Sequence, residues 1–239
     1  MNNSIHHVWA VLAATPQLWL AITVAAYVCG LAIQRACGGS AFASPVLTAI
    51  FLISLVVLMT GTDYRTYFAN VQLINFLLGP ATVALAIPLA RNGRLVRENL
   101  HSIALALIAG SLVSIVSGCA IVWLFGGSRE VALSTAPKAA TTPIAVAISQ
   151  EIGGVPALTA VLAILGGILA ALVGELIFCF LKIRDWRSRG LAAGIAGSGV
   201  AAAQIARRSE LGAAFAAVGI GLNGLLTTII VPLLVRLWH

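Results

Sequence analysis

Leu18–Ile33, Val46–Met59, Ile103–Phe125, Ala157–Leu181 and Ala213–Val235 are apolar runs in which Glu175 is the one charged residue. At a rise of about 1.5 Å per residue, a helix of that length crosses, or nearly crosses, a hydrocarbon core of about 30 Å. The whole chain is 60% hydrophobic and 9% charged over 239 residues, whereas a soluble domain carries about 25% charged residues. These runs define an all-α polytopic membrane protein with six to eight hydrophobic segments. It forms one transmembrane domain over 1–239, with few residues left for a soluble one.

The net charge of +7 would suggest a nucleic-acid partner in a soluble protein. Here the basic residues sit in short loops between apolar segments, where they set orientation in the bilayer. Aromatic and basic residues are not interleaved on any solvated face, so no nucleic-acid partner is expected. Cys29, Cys37, Cys119 and Cys179 lack the close pair spacing of a zinc or redox site and read as small buried hydrophobes. The N-terminus, Met1 to His7, has no basic stretch of the kind that opens a cleaved signal peptide. With no metal-spaced cluster and no Gly-x-Ser-x-Gly, the chain is not expected to be an enzyme.

Polar, helix-breaking sequence interrupts the apolar pattern at two places. Residues 136–154 carry Lys138, a Thr141-Thr142-Pro143 break and a Gly153-Gly154 stop. Residues 63–92 carry Asn70, Gln72 and Asn75, then Gly79-Pro80-Ala81-Thr82, Pro88 and Asn92. Such backbone is tolerated at membrane depth only where it is buried in protein or lines a cavity. A shift of 61 residues lays Ala84-Leu85-Ala86-Ile87 on Ala145-Val146-Ala147-Ile148, Gly93 on Gly154 and Ala109 on Ala170. The chain is therefore expected to contain an internal repeat, with copies near 63–126 and 128–182. Paired broken segments in two halves are the best sequence pointer to a transporter binding site.

If 63–92 and 128–154 each enter and return on one side, the basic residues segregate. Arg65, Arg91, Arg94, Arg97, Lys182, Arg184, Arg187, Arg189 and Arg236 share a side, against Arg35, Arg129, Arg207 and Arg208. If every segment crosses, the two sides nearly balance. The positive-inside rule favours the first arrangement, with inverted copies and both termini in the cytoplasm. It treats Ser188–Ala206 as a crossing helix.

Thr141 and Thr142 offer hydroxyls just before Pro143, and a Thr at the cap position with Pro in the first turn makes a helix start. The half-helix Pro143–Ile152 would aim free N–H groups and a positive dipole end into the protein, a setting that favours anions. Pro80 and Thr82 offer the same from the other copy. Lys138 reads either as partner of a substrate carboxylate or as a lysine snorkelling to the interface. Thr142, Asn75 and Asn223 are further candidate solute ligands, although uncharged polar residues in such helices also serve as interhelical hydrogen bonds. Glu175 reads as a proton-coupling group or as an interfacial carboxylate near Lys182 or Arg184. The glycines from Gly190 to Gly199 read as tight helix packing.

The motifs Lys138-Ala-Ala-Thr-Thr-Pro-Ile-Ala145, Ile152-Gly-Gly-Val-Pro-Ala-Leu-Thr-Ala160, Arg189-Gly-Leu-Ala192, Gly219-Ile-Gly-Leu-Asn-Gly224 and Gly79-Pro-Ala-Thr-Val-Ala-Leu-Ala-Ile-Pro-Leu89 resemble the LrgB/CidB family of bacterial membrane proteins. The resemblance covers nearly the whole chain. It implies a multi-pass protein of the bacterial inner membrane, described for the family as antiholin-like and tied to murein hydrolase activity and lysis. A plastid relative carries glycolate and glycerate, and bacterial members are linked to pyruvate movement. The implied partners are a small organic anion, the bilayer, an LrgA/CidA-like small membrane protein and further copies of the chain. No cofactor is implied beyond a coupling ion, H+ or Na+. Where the family has a Ser-His-Gly-x-Gly-Thr-x-Arg-like stretch, this chain has Gly197-Ser198-Gly199-Val200-Ala201-Ala202-Ala203-Gln204. Ser198 takes the histidine position, Ala202 the threonine and Gln204 the arginine, so Lys138 and the half-helix ends would carry more of any anion binding. The expected function is monocarboxylate transport, and the alternative is antiholin-like regulation with a holin-like partner.

Overall fold

Prolines start several of the helices, because the first turn needs no N–H from them and their φ is already helical. In the computed structural model, which describes residues 15–38, 44–84, 86–91 and 93–237, Pro16 opens α1 (Pro16–Ala36) and Pro45 opens α2 (Pro45–Thr60). Further on, Pro156 opens the helix Pro156–Phe180. Gly61 and Gly153 end helices at φ of 62° and 82°, a left-handed conformation that glycine adopts without a Cβ penalty. No strand occurs among the described residues.

The chain divides into two compact units, one up to Ala84 and one from Leu85. In the first, α1 packs on α2 and on α3 (Tyr64–Asn70), which precedes α4 (Gln72–Ala84). Trp19 is fully buried and meets Tyr67 edge to face, with 5.4 Å between ring centres. The Tyr67 hydroxyl lies 3.1 Å from that of Thr23. One expectation fails here: Pro80 opens no half-helix but lies inside α4.

The second unit holds α5 (Ala86–Arg91), α6 (Gly93–Glu98), α7 (Leu100–Leu124), α8 (Arg129–Thr135), α9 (Thr142–Ile152), α10 (Pro156–Phe180), α11 (Trp186–Ala206) and α12 (Glu210–Leu237). Ahead of the apolar run Ile103–Phe125 the helix is interrupted at Asn99, between α6 and α7. Among the described residues, α1, α7, α10 and α12 are long and apolar enough to cross a bilayer; α2 is apolar but shorter. Large apolar side chains cover the outside, among them Leu58, Leu124, Leu176 and Phe180, each at least 70% exposed. Surface this apolar requires lipid, and the protein is a membrane protein. The cysteines depart from expectation: Cys29, Cys37 and Cys179 are exposed rather than buried, and Cys119 is half-buried.

α11 is not one straight helix. Arg189 and Arg208 both reach Glu175 Oε1, at 3.6 and 2.8 Å. On a straight helix, residues nineteen positions apart would lie about 28 Å apart. The chain turns at Ser198, whose φ of 47° and ψ of −137° are not helical. Its first limb runs alongside α12 in the same direction: a Cβ on Gly190 would fall 2.1 Å from the Gly212 oxygen, and one on Gly194 2.3 Å from the Ala216 oxygen. Its second limb returns to the start of α12, where Ile205 Cγ2 lies 2.6 Å from the Cβ position of Gly212. Flanking glycines permit the turn; Gly197 sits so close to Ala170 that a Cβ there would be 2.8 Å from the Ala170 Cβ. Positive φ costs a non-glycine residue about 1–2 kcal/mol, so Ser198→Gly should raise the thermal midpoint. A lower midpoint would show that the serine side chain itself holds the turn.

α8 and α9 form another hairpin. Cys119 and Lys138 show α8 descending antiparallel to α7: Cys119 Sγ donates to the Ala132 carbonyl at 3.5 Å, and Lys138 Nζ to the Ser114 carbonyl at 2.6 Å. Residues 136–140 make the turn, and α9 brings the chain back. There the Thr159 hydroxyl lies 2.7 Å from Ser149 Oγ and 2.9 Å from the Ser134 carbonyl oxygen, while Ser134 Oγ accepts from the Val155 N–H at 2.7 Å. α7 and α12 run parallel, since Ile103 and Leu107 share a core with Phe215 and Val218, and Ile115 another with Val231. The bases of the two hairpins therefore lie at opposite ends of that pair.

Candidate functional site

Both hairpin tips end at Asn223, which is 1% exposed. Its Nδ2 donates to the Ala139 carbonyl in the first tip, at 3.0 Å, and to the Ile195 carbonyl beside the second, at 3.3 Å. Its Oδ1 accepts from the Ser111 hydroxyl of α7 at 2.6 Å. An amide has two donor hydrogens and an acceptor oxygen, and all are engaged. Asn223, read from sequence as a solute ligand or an interhelical hydrogen bond, forms a clamp among α7, α12 and the two tips.

Lys138 stands at the first tip, half-buried. Its Nζ donates to the carbonyl and, at 3.3 Å, to the hydroxyl of Ser114. It belongs to none of the ion pairs among the described residues. Gly118 makes room for it, because a Cβ there would fall 2.5 Å from Lys138 Nζ. This ammonium does not snorkel from a segment end; it is turned inward onto α7 at the level of Ser114.

Thr141 occupies the N-cap position of α9, which starts one residue before the expected Pro143, and its hydroxyl makes no cap bond. Its Oγ1 is the one buried side-chain polar atom without a hydrogen-bond partner among the described residues. An unpartnered buried hydroxyl costs about 1–3 kcal/mol, and it stands where the helix leaves its first N–H groups without intrahelical acceptors. Thr142 begins α9 and Pro143, exposed, follows it in the first turn. A hydroxyl, free N–H groups and a dipole end thus occur together, three residues along the chain from an ammonium without a carboxylate partner. The arrangement suits a small anion.

Ser198 lies at the second tip, half-buried. Pro80, Thr82 and Asn75 belong to the first unit, and the side chains of Asn75 and Thr82 lie outside those described. Glu175 pairs with Arg208 and Arg189, not with Lys182 or Arg184. Ser111, Ser114, Ser134, Ser149 and Thr159 are hydroxyls bonded between elements that sequence reading passed over. Their only signal is a polar group inside an apolar run.

No solved structure matches this chain. The model of the LrgB-like family matches residues 23–237. The uncharacterised protein YxaC of Bacillus subtilis (strain 168) is 32% identical over 198 residues, covering 83% of this chain and 86% of YxaC. The antiholin-like protein LrgB of Bacillus mycoides (strain KBAB4) is 30% identical over 220 residues, covering 92% of this chain and 95% of its own. Its namesake in Bacillus cereus (strain B4264) is 29% identical over the same span. With the family model matched over most of its length, the chain belongs to the LrgB-like family.

Proposed function

We propose that this chain works in the bacterial inner membrane as a multi-pass transporter of small organic monocarboxylates, of the size and charge of glycolate, glycerate or pyruvate. The observation that carries the reading is Thr141: a buried hydroxyl with no partner, at the N-terminus of α9, three residues along the chain from Lys138. The carboxylate would take the Thr141 hydroxyl and the first-turn N–H groups, with Lys138 balancing its charge. The hairpin Arg129–Ile152 would enter the bilayer and return on the same side, which keeps its irregular turn inside protein. α9, at 11 residues, spans only about 16 Å. Coupling to H+ or Na+ completes the proposal.

A second reading has more direct support from names. Relatives covering nearly the whole chain are called antiholin-like, which favours regulation of murein hydrolase export and lysis with a small holin-like membrane partner. One experiment addresses both. Proteoliposomes are loaded with wild type or Thr141→Val and offered labelled glycolate, glycerate and pyruvate, and the same preparations are tested for co-purification of an LrgA/CidA-like protein. Removing an unpartnered hydroxyl leaves stability unchanged or slightly higher. The loss of one charge-assisted bond weakens anion uptake about tenfold. Equal uptake by empty, wild-type and mutant vesicles sinks the transport reading. A stable stoichiometric partner without saturable flux establishes the regulatory one.

A further inference from the structure

We propose that the second limb of α11, Gly199–Ala206, is a movable strap hinged at Ser198 and latched by Glu175, on a hairpin that enters the membrane from the face opposite to the one Arg129–Ile152 enters. The placement of this hairpin stands on geometry alone. Its service as a gate rests on the transport reading above.

The two limbs are held very differently. The first is locked backbone to backbone on α12: Cβ positions on Gly190, Gly194 and Gly219 all fall under 3.0 Å from backbone oxygen atoms across the contact. Contacts this close have no slack, so the first limb and α12 form one body. The second limb rests instead on side chains, through Ala201 and Ile205 against Ala171 and Phe178 of α10. A groove of about 430 Å³ runs between it, the first limb and α10, lined by Ala196, Gln204, Gly174 and Glu175 among others. Small side chains on one limb and empty volume beside it allow that limb to shift without a clash.

The hinge and the latch are both identifiable. Ser198 already holds non-helical dihedral angles, so the limbs on either side of it are separate helices rather than one stiff rod. At the other end, Arg208 donates to Glu175 at 2.8 Å and belongs to the second limb's exit. Arg189, on the first limb, reaches the same oxygen at 3.6 Å, donates to the Ile183 carbonyl at 2.7 Å and stacks on Phe178 and Trp186. Arg189 is therefore fixed, and the Arg208–Glu175 pair is the tie that swings with the strap.

Charge agrees with the placement. With α11 folded back, the base of its hairpin and the start of α7 share a face that gathers Arg94, Arg97, Lys182, Arg184, Arg187, Arg189, Arg207 and Arg208. The opposite face of this unit has Arg129 and Arg236. That asymmetry exceeds the one obtained when 188–206 crosses, and it makes the basic face cytoplasmic. The C-terminal end of α12 then lies outside, in place of the expected cytoplasmic C-terminus.

The test uses the full chain in inverted and right-side-out vesicles, with Cys29, Cys37, Cys119 and Cys179 replaced by Ala. Single cysteines at Arg184 and Ser209 should react with a membrane-impermeant maleimide from the cytoplasmic face, and one at Gly127 from the other. Labelling of positions 184 and 209 from opposite faces overturns the hairpin. Ala201, 3% exposed, reports the strap. Ala201→Cys should react about threefold faster from the cytoplasmic face when Glu175→Gln breaks the latch, and Arg208→Gln should do the same while leaving the Arg189 pair intact. Equal rates in both latch variants and their parent overturn the strap. Absence of uptake by the wild-type chain, with the labelling pattern intact, counts against the transport reading and leaves the hinge standing.

Discussion

Asn223→Ala is expected to lower the stability of the second unit by about 2–3 kcal/mol, measured by thermal or denaturant unfolding in detergent micelles. Interhelical hydrogen bonds in membranes average about 0.6 kcal/mol each and reach about 1.7. Three are lost at once, to the Ala139 and Ile195 carbonyls and from the Ser111 hydroxyl. Ser111, 1% exposed, is then left beside a cavity with its hydroxyl's acceptor gone. Ser111→Ala alone removes one bond and should cost about 1 kcal/mol or less. Once Asn223 is gone, the Ser111 change should cost less still, because the two share a bond. Asn223→Asp is expected to be worse than alanine: a carboxylate would face two carbonyl oxygens that now receive N–H groups. Within the transport reading, the contrast with Thr141 is diagnostic. Asn223 variants lose stability and uptake together, whereas Thr141→Val loses uptake alone. An Asn223→Ala protein melting within about a degree of wild type would remove the clamp.

The first hairpin was legible because its ends carry residues with fixed conformational meaning. Thr141-Thr142-Pro143 sets a helix start and Gly153-Gly154 a stop, and both occur where the sequence places them. The second hairpin was not legible, and the reason is physical. Gly197-Ser198-Gly199 marks its turn, but glycines in membrane helices ordinarily mean close packing, and Gly190 and Gly194 do pack closely. Nothing in the one-dimensional pattern separates the glycines that pack from those that flank a reversal. The loop-charge argument inherited that error, for a crossing 188–206 puts Arg208 on the side away from Arg189, and both in fact bind Glu175. Pro80 misled in the opposite sense: its missing N–H is tolerated inside α4, as membrane helices tolerate proline more readily than soluble ones. The site hydroxyls were invisible because serine and threonine in an apolar helix can satisfy themselves on the carbonyl four residues back. Thr135 and Thr227 do so, while Ser111 and Ser149 are engaged across elements.

Gly190→Ala and Gly194→Ala should be the most damaging glycine-to-alanine changes among the described residues, each costing about 3 kcal/mol or more and reducing the yield of monodisperse protein. Their added Cβ atoms would stand 2.1 and 2.3 Å from the backbone oxygens of Gly212 and Ala216. Backbone cannot rotate out of the way as a side chain can, so the first limb of α11 must part from α12 along its length. Gly166 and Gly221 provide the control, with nothing within 4 Å of their Cβ positions. Alanine there should be neutral or stabilising by up to about 1 kcal/mol through helix propensity. Adjacent glycines in α10 sharpen the comparison, since Gly166 is open while a Cβ on Gly167 would approach the Gly197 oxygen at 3.0 Å. If Gly190→Ala expresses and melts like Gly166→Ala, the first limb is not welded to α12. The division of α11 into a fixed limb and a moving one would then lose its basis, because the immobility of the first limb rests on those backbone contacts.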